Sequence, residues 1–204
     1  MIALIDYGIG NLRSVEKALA AAGAEVCLTE DPAVILRAEK VVLPGVGAFG
    51  DGMNGLRQRK LVDVVYEVVQ GGTPLLGICV GMQLLFEASD EMGEHPGLGL
   101  LPGRVKLFTP HPSQRLKVPQ TGWNELRQEQ DTPLLAGLTP GSYAYFNHSF
   151  YCAAADPGDI LASTDYGLRY ASVVGRGRMY GVQFHPEKSQ AVGLQILRNF
   201  VEGG

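Results

Sequence analysis

Leu75-Leu76-Gly77-Ile78-Cys79-Val80-Gly81-Met82-Gln83 is an apolar strand that runs straight into a helix, with a cysteine at the joint and a glycine two residues to either side. The chain before it repeats the same strand-to-helix passage. Ile2–Ile5 reads as a strand, and Leu12–Ala22 has helical spacing at Leu12, Val15, Leu19 and Ala22, closed by Gly23 as a left-handed cap. Glu25–Leu28 is a second strand, after which Asp31-Pro32 opens a short helix with Asp as N-cap and Pro in the first turn. Lys40–Leu43 is a third strand, ending at Pro44-Gly45. Leu56, Val62, Val65 and Val69 form one helical stripe that stops at Gly71-Gly72. Leu75–Ile78 is then the fourth strand, and Met82–Phe86 begins another helix. This alternation predicts the α/β class, a mostly parallel twisted sheet with helices on both faces. Ligands of such sheets sit outside the carboxyl ends of the strands, so the strand-to-helix loops open on one common edge.

The second half has a different texture and predicts a smaller β-rich elaboration. Val105–Phe108, Trp123–Leu126, Tyr143–Phe150, Ile160–Ser163 and Arg169–Val174 are short β-like runs punctuated by Pro and Gly. Gly175-Arg176-Gly177 reads as a hairpin turn into Met179–Phe184. Ser189 is placed to cap a last helix with an apolar face of Val192, Ile196, Leu197 and Phe200. No repeat and no long polar linker interrupts the chain, and residues 1–204 read as a single domain.

Composition excludes several classes. A chain of 204 residues that is 46% hydrophobic can bury a core, which rules out disorder. No apolar run reaches the ~20 residues needed to cross a membrane, and the start lacks a basic segment and cleavage site, so a cytoplasmic protein is expected. The formal charge of −4 comes without clustered Lys and Arg, which argues against nucleic acid as a partner. Cys27, Cys79 and Cys152 are odd in number and widely spaced, so neither a disulfide framework nor a metal site is indicated.

Three segments carry chemistry. Around Cys79 the layout is G-x-C-x-G, a nucleophile elbow with cysteine in the place of serine. The tight turn strains the nucleophile's backbone, the flanking glycines remove side chains that would clash, and a helix N-terminus favours the thiolate. A buried core cysteine is the alternative. In Val182-Gln183-Phe184-His185-Pro186-Glu187-Lys188-Ser189, Pro186 biases His185 toward extended backbone, in which His185 and Glu187 point to one side. A carboxylate there holds the imidazole in one tautomer, as the third member of a triad does. The Pro44–Gly50 stretch contains G-x-G-x-x-G, yet it follows the third strand rather than the first, against a dinucleotide site. Its backbone N–H groups at Gly45, Val46 and Gly47 are better read as donors to the oxyanion formed when a thiolate attacks an amide carbonyl.

These segments together resemble the class I (triad) glutamine amidotransferases. The match is closest to the glutaminase subunits of imidazole glycerol phosphate synthases, and it extends to Asp6-Tyr7-Gly8-Ile9-Gly10-Asn11 and Gly122-Trp123-Asn124. The resemblance implies Cys79 as nucleophile, His185 as base and Glu187 as its orienting acid, working through a glutamyl thioester without a cofactor. It implies that Gln83, Glu91, Ser149 and Phe150 bind glutamine. It further implies that Asn11, Trp123, Tyr145 and Lys188 face a (β/α)8-barrel synthase (cyclase) subunit in a heterodimer. That subunit would use the ammonia to make imidazole glycerol phosphate and an aminoimidazole carboxamide ribonucleotide in histidine biosynthesis. Phe150 departs from a usual Tyr, and Gln120-Thr121 from a usual His followed by Met or Ile. Rival readings are a glutaminase subunit of another class I pathway, a stand-alone cysteine hydrolase, and a small α/β binding protein with a structural Cys79.

Overall fold

A computed structural model of the chain describes residues 1–203 apart from 111, 112 and 114. Five strands run parallel in the order β2 (Val26–Thr29), β1 (Ile2–Ile5), β3 (Lys40–Leu43), β4 (Leu75–Ile78) and β14 (Met179–Val182). β1, β4 and β14 are buried at every residue, so both faces of this part of the sheet are covered. The covering helices include α1 (Leu12–Ala21), packed on α6 (Gln190–Gly203), and α2 (Pro32–Arg37), packed on α4 (Val62–Gln70). Asp31 caps α2 by accepting from the N–H of Ala33 at 2.8 Å, and Gly23 follows α1 at a φ of 98°. Lys40 Nζ donates to the carbonyls of Phe200 and Val201 near the end of α6, where a cation complements the helix dipole.

Beyond β14 the same sheet turns antiparallel through β13 (Arg169–Arg176), β11 (Phe150–Ala154) and β7 (Leu101–Leu107). β5 (Phe86–Ser89) then runs parallel to β7, and β12 (Ile160–Asp165) lies against β13. A separate two-stranded ribbon pairs β8 (Gln120–Glu125) with β10 (Tyr143–His148). The predicted β-rich elaboration is therefore partly an extension of the main sheet and partly this ribbon.

Several expectations at the element level are corrected. The single stripe from Leu56 to Val69 is two helices, α3 (Phe49–Gln58) and α4, broken where Lys60 takes a φ of 58°. The helix after Cys79 is one turn, α5 (Val80–Gln83), and Phe86 belongs to β5 because it pairs with Leu101. Tyr143–Phe150 is two strands in two different sheets, separated at Ser149. Ser189 does not cap α6 with its hydroxyl: Oγ donates to the carbonyl of His185 at 2.7 Å and accepts from the N–H of Tyr145 at 2.9 Å.

Candidate active site

Cys79 stands one residue past β4, and its N–H still extends the sheet by donating to Val182 at 2.8 Å. The chain then turns sharply, with Cys79 at φ 54° and ψ −109°. A positive φ in a residue with a Cβ costs about 1–3 kcal/mol and persists only where the surroundings enforce it. The glycines do that by close approach. A Cβ on Gly81 would lie 1.9 Å from the carbonyl oxygen of Leu43, and one on Gly77 would lie 2.7 Å from that of Gly81. The elbow is thus wedged against β3. Because α5 is a single turn, its dipole offers the Cys79 sulfur little, and support must come from side chains and individual N–H groups.

The chief support is His185, buried beyond the end of β14 with its N–H on the carbonyl of Tyr145 at 2.9 Å. Its Nδ1 lies 3.0 Å from Oε1 of Glu187, whose side chain is 1% exposed. The pair does not arise from extended alternation: Pro186–Lys188 is a 3-10 turn that swings Glu187 back beneath the ring. With Nδ1 engaged by the carboxylate, Nε2 is left for the hydrogen bond that His185 makes with Cys79. Burial pulls the imidazole toward neutrality, but hydrogen bonds and attraction from Cys79 and Glu187 outweigh it and push its pKa up to about 10. The ring is therefore held as an imidazolium beside the Cys79 sulfur.

The stretch from Gly45 to Gly47 lies against the same turn. At its start, the Tyr7 hydroxyl donates to the carbonyl of Pro44. At its end, the N–H of Phe49 donates to Oε2 of Glu91 at 2.7 Å. Gly45 has no room for a side chain, since a Cβ would lie 2.7 Å from the nitrogen of Gly81, and Gly47 takes a φ of 95°. Between these two anchors the N–H groups of Gly45, Val46 and Gly47 make no hydrogen bond with any described residue. Val80, which follows Cys79 as the first residue of α5, has no intrahelical acceptor for its own N–H. Its position directly after Cys79 in the elbow motif is the sequence signal for this additional free donor.

A cavity of about 300 Å³ joins these groups. Cys79, His185, Val46, Gly47, Gln83, Glu91, Ser149, Phe150 and Lys188 all line it, as do Val80 and His148. Of the other expected site residues, Gly45 and Glu187 do not line it, and Glu187 reaches it only through His185. Gln83 is nearly buried, and its Nε2 donates to the carbonyl of Phe150 and to Oε1 of Gln183, both at 3.1 Å. With both N–H groups used, Gln83 has its carbonyl oxygen left to offer. His148 is held neutral: burial lowers its pKa to about 4, despite a 2.6 Å contact from Nδ1 to the carbonyl of Phe150.

The expected partner face adjoins this cavity. Trp123, 43% exposed, meets Tyr145 edge to face at 6.0 Å, and Lys188 Nζ sits 5.9 Å from the Tyr145 ring. Asn11 opens α1, which touches the Pro186–Lys188 turn. No helix among the described residues is long and apolar enough to cross a membrane.

Comparison with known proteins gives one consistent answer. Residues 3–203 match the glutamine amidotransferase class-I family. The imidazole glycerol phosphate synthase subunit HisH of Salinibacter ruber is 51% identical over 203 residues, covering 98% of this chain and 93% of that one. The subunit of the same name from Geobacter metallireducens is 48% identical over 202 residues, covering 98% and 96%. In fold alone, the chain resembles a crystal structure of a glutamine amidotransferase, with a TM-score of 0.76 at 21% identity and coverage of 99% and 98%.

Proposed function

The chain belongs to the class-I glutamine amidotransferases, within them to the HisH subunits of imidazole glycerol phosphate synthase, and from that premise we propose that it hydrolyses glutamine at Cys79 and passes the ammonia to a (β/α)8-barrel synthase subunit. The observation that carries this reading is the shared cavity, in which a strained cysteine, its histidine and unengaged backbone donors converge. Residues 1–204 act as one catalytic domain of a cytoplasmic heterodimer serving histidine biosynthesis. The high identity to HisH subunits favours that pathway over other class-I routes.

Glutamine enters with its carboxamide at Cys79 and its amino-acid end toward Glu91 and the free oxygen of Gln83. The thiolate attacks the carboxamide carbon, and the N–H groups of Val80, Val46 and Gly47, which line the cavity, receive the oxyanion. The His185 imidazolium gives its Nε2 proton to the amide nitrogen, the C–N bond breaks, and ammonia leaves a glutamyl thioester. His185, now neutral, takes a proton from water as the oxygen attacks the thioester. The C–S bond breaks, glutamate departs, and thiolate and imidazolium are restored. Glu187 keeps Nδ1 protonated throughout. The surface of Trp123, Tyr145, Lys188 and Asn11 receives the partner.

Glutamate release, measured with and without the barrel subunit and its nucleotide ligand, tests the proposal. Cys79→Ala is expected to abolish release in both conditions, and hydrolysis that survives it overturns the reading. Low release alone with a sharp rise in the complex supports the partner assignment; equal rates in both count against it.

A further inference from the structure

Gln183 follows β14 and is completely buried, which is costly for a primary amide unless its donors and acceptor find partners. Its Oε1 lies 3.1 Å from Nε2 of Gln83 and 4.0 Å from Sγ of the buried Cys152, and its Nε2 lies 3.8 Å from Sγ of Cys79. Which end of each amide is nitrogen follows from one fixed point. The carbonyl of Phe150 can only accept, so the atom of Gln83 3.1 Å from it is nitrogen. That same nitrogen has one N–H left for Gln183, which must therefore accept with its oxygen. The remaining end of Gln183, facing Cys79, is then the donor.

We propose that Gln183 is a further catalytic residue, whose side-chain N–H donates to the Cys79 sulfur and stabilises its thiolate, while its oxygen ties the nucleophile to the substrate-binding Gln83. A thiolate has only lone pairs to offer, and every donor aimed at it favours the charged, reactive form. An amide does not titrate, so this donor serves the thiolate both before it attacks and when the C–S bond breaks to release it. Cys152, as a neutral thiol, supplies the S–H that completes the oxygen's partners. The inference rests on Cys79 being the nucleophile of the proposed glutaminase.

The test follows alkylation of Cys79 by iodoacetamide against pH in the full chain, with the modified peptide resolved by mass so that Cys27 does not contribute. Gln183→Met keeps the volume and removes the donor. Its midpoint is expected to rise by about one pH unit, a roughly tenfold loss of alkylation rate near neutrality. A folded Gln183→Met with an unchanged midpoint overturns the proposal. The unaltered chain gives a second measurement that survives a variant that does not fold. The NMR signal of the Gln183 side-chain amide is expected to titrate with the Cys79 midpoint and to lose that titration in Cys79→Ala. An amide signal indifferent to the state of Cys79 also overturns the proposal. Failure of the glutaminase reading itself is seen separately, as glutamate release that persists in Cys79→Ala.

Discussion

The carboxylate of Glu91 accepts a hydrogen bond from the backbone N–H of Phe49 at 2.7 Å, so a group facing the cavity beside Cys79 also fastens the end of the Gly45–Gly47 stretch. Two substitutions separate the roles. Glu91→Gln keeps an acceptor for Phe49 and removes the charge that would meet a substrate ammonium. A hydrogen bond to a charged group is worth about 1.5–3 kcal/mol, so KM is expected to rise roughly 10- to 100-fold with kcat little changed. Glu91→Ala removes both and is expected to lower kcat as well. Steady-state glutaminase kinetics in the complex check both, and a kcat unaffected in Glu91→Ala would remove the loop from the account.

Glu187 and His185 show how far the sequence could be read. The motif itself was legible, because a His and a Glu two apart beyond a strand end are rare enough to notice beside a cysteine elbow. The way they meet was not, since the 3-10 turn at Pro186–Lys188 depends on Ser189 clasping His185 and Tyr145, a contact 44 residues long-range. The first four strands were legible from apolar runs that end in turn residues. Phe86 was misread because periodicity continues smoothly past Gln83, and only pairing with Leu101 draws it into the sheet. The break between α3 and α4 hides in the same way under a continuous apolar stripe. Gln183 gave no local signal, as its partners Gln83, Cys79 and Cys152 are all distant from it in sequence.

Removing the Glu187 charge is expected to act on both rate and pH. In Glu187→Gln the imidazole loses its tautomer lock, and kcat is expected to fall about 10²- to 10⁴-fold, as in other triads. The raised pKa of His185, about 10 against an ordinary 6.5, stabilises the fold fully below pH 6.5, and this contribution is lost as pH rises through 10. The variant, with a smaller rise, is expected to melt lower than the parent at pH 6, and the gap is expected to close toward pH 10. Thermal melts across that range decide it. A gap that widens with pH would contradict the assignment.

His148 has the opposite linkage. Burial lowers its pKa to about 4, so the fold prefers the neutral ring and the unfolded chain the protonated one between pH 4 and 6.5. Stability from this group is complete above pH 6.5 and falls as pH drops toward 4, by about 3 kcal/mol if the whole shift is expressed. His148→Gln keeps a donor for the carbonyl of Phe150 and cannot titrate. It is expected to flatten the acid limb of the melting curve while leaving the neutral plateau within about 1–2 kcal/mol of the parent. Equal acid slopes in both chains would refute this origin for the acid sensitivity.

Tyr7 fastens the other end of the Gly45–Gly47 stretch. Its ring is fully buried, its hydroxyl donates to the carbonyl of Pro44, and burial raises its pKa far above the usual phenol range, so it acts only as a neutral donor. Tyr7→Phe keeps the packing and leaves that carbonyl without its donor, at a cost of about 1–3 kcal/mol in stability. The catalytic consequence differs from that of Glu91, because Tyr7 lies beneath the stretch and does not line the cavity. Freed at Pro44, the N–H groups of Val46 and Gly47 are expected to lose part of the preorganisation proposed for the oxyanion, which matters in the transition state and not in the bound substrate. The expected result is a kcat reduced about tenfold with KM unchanged, together with the lowered melting temperature. A variant that melts lower yet turns over at the parent's rate would show that Tyr7 supports the fold alone.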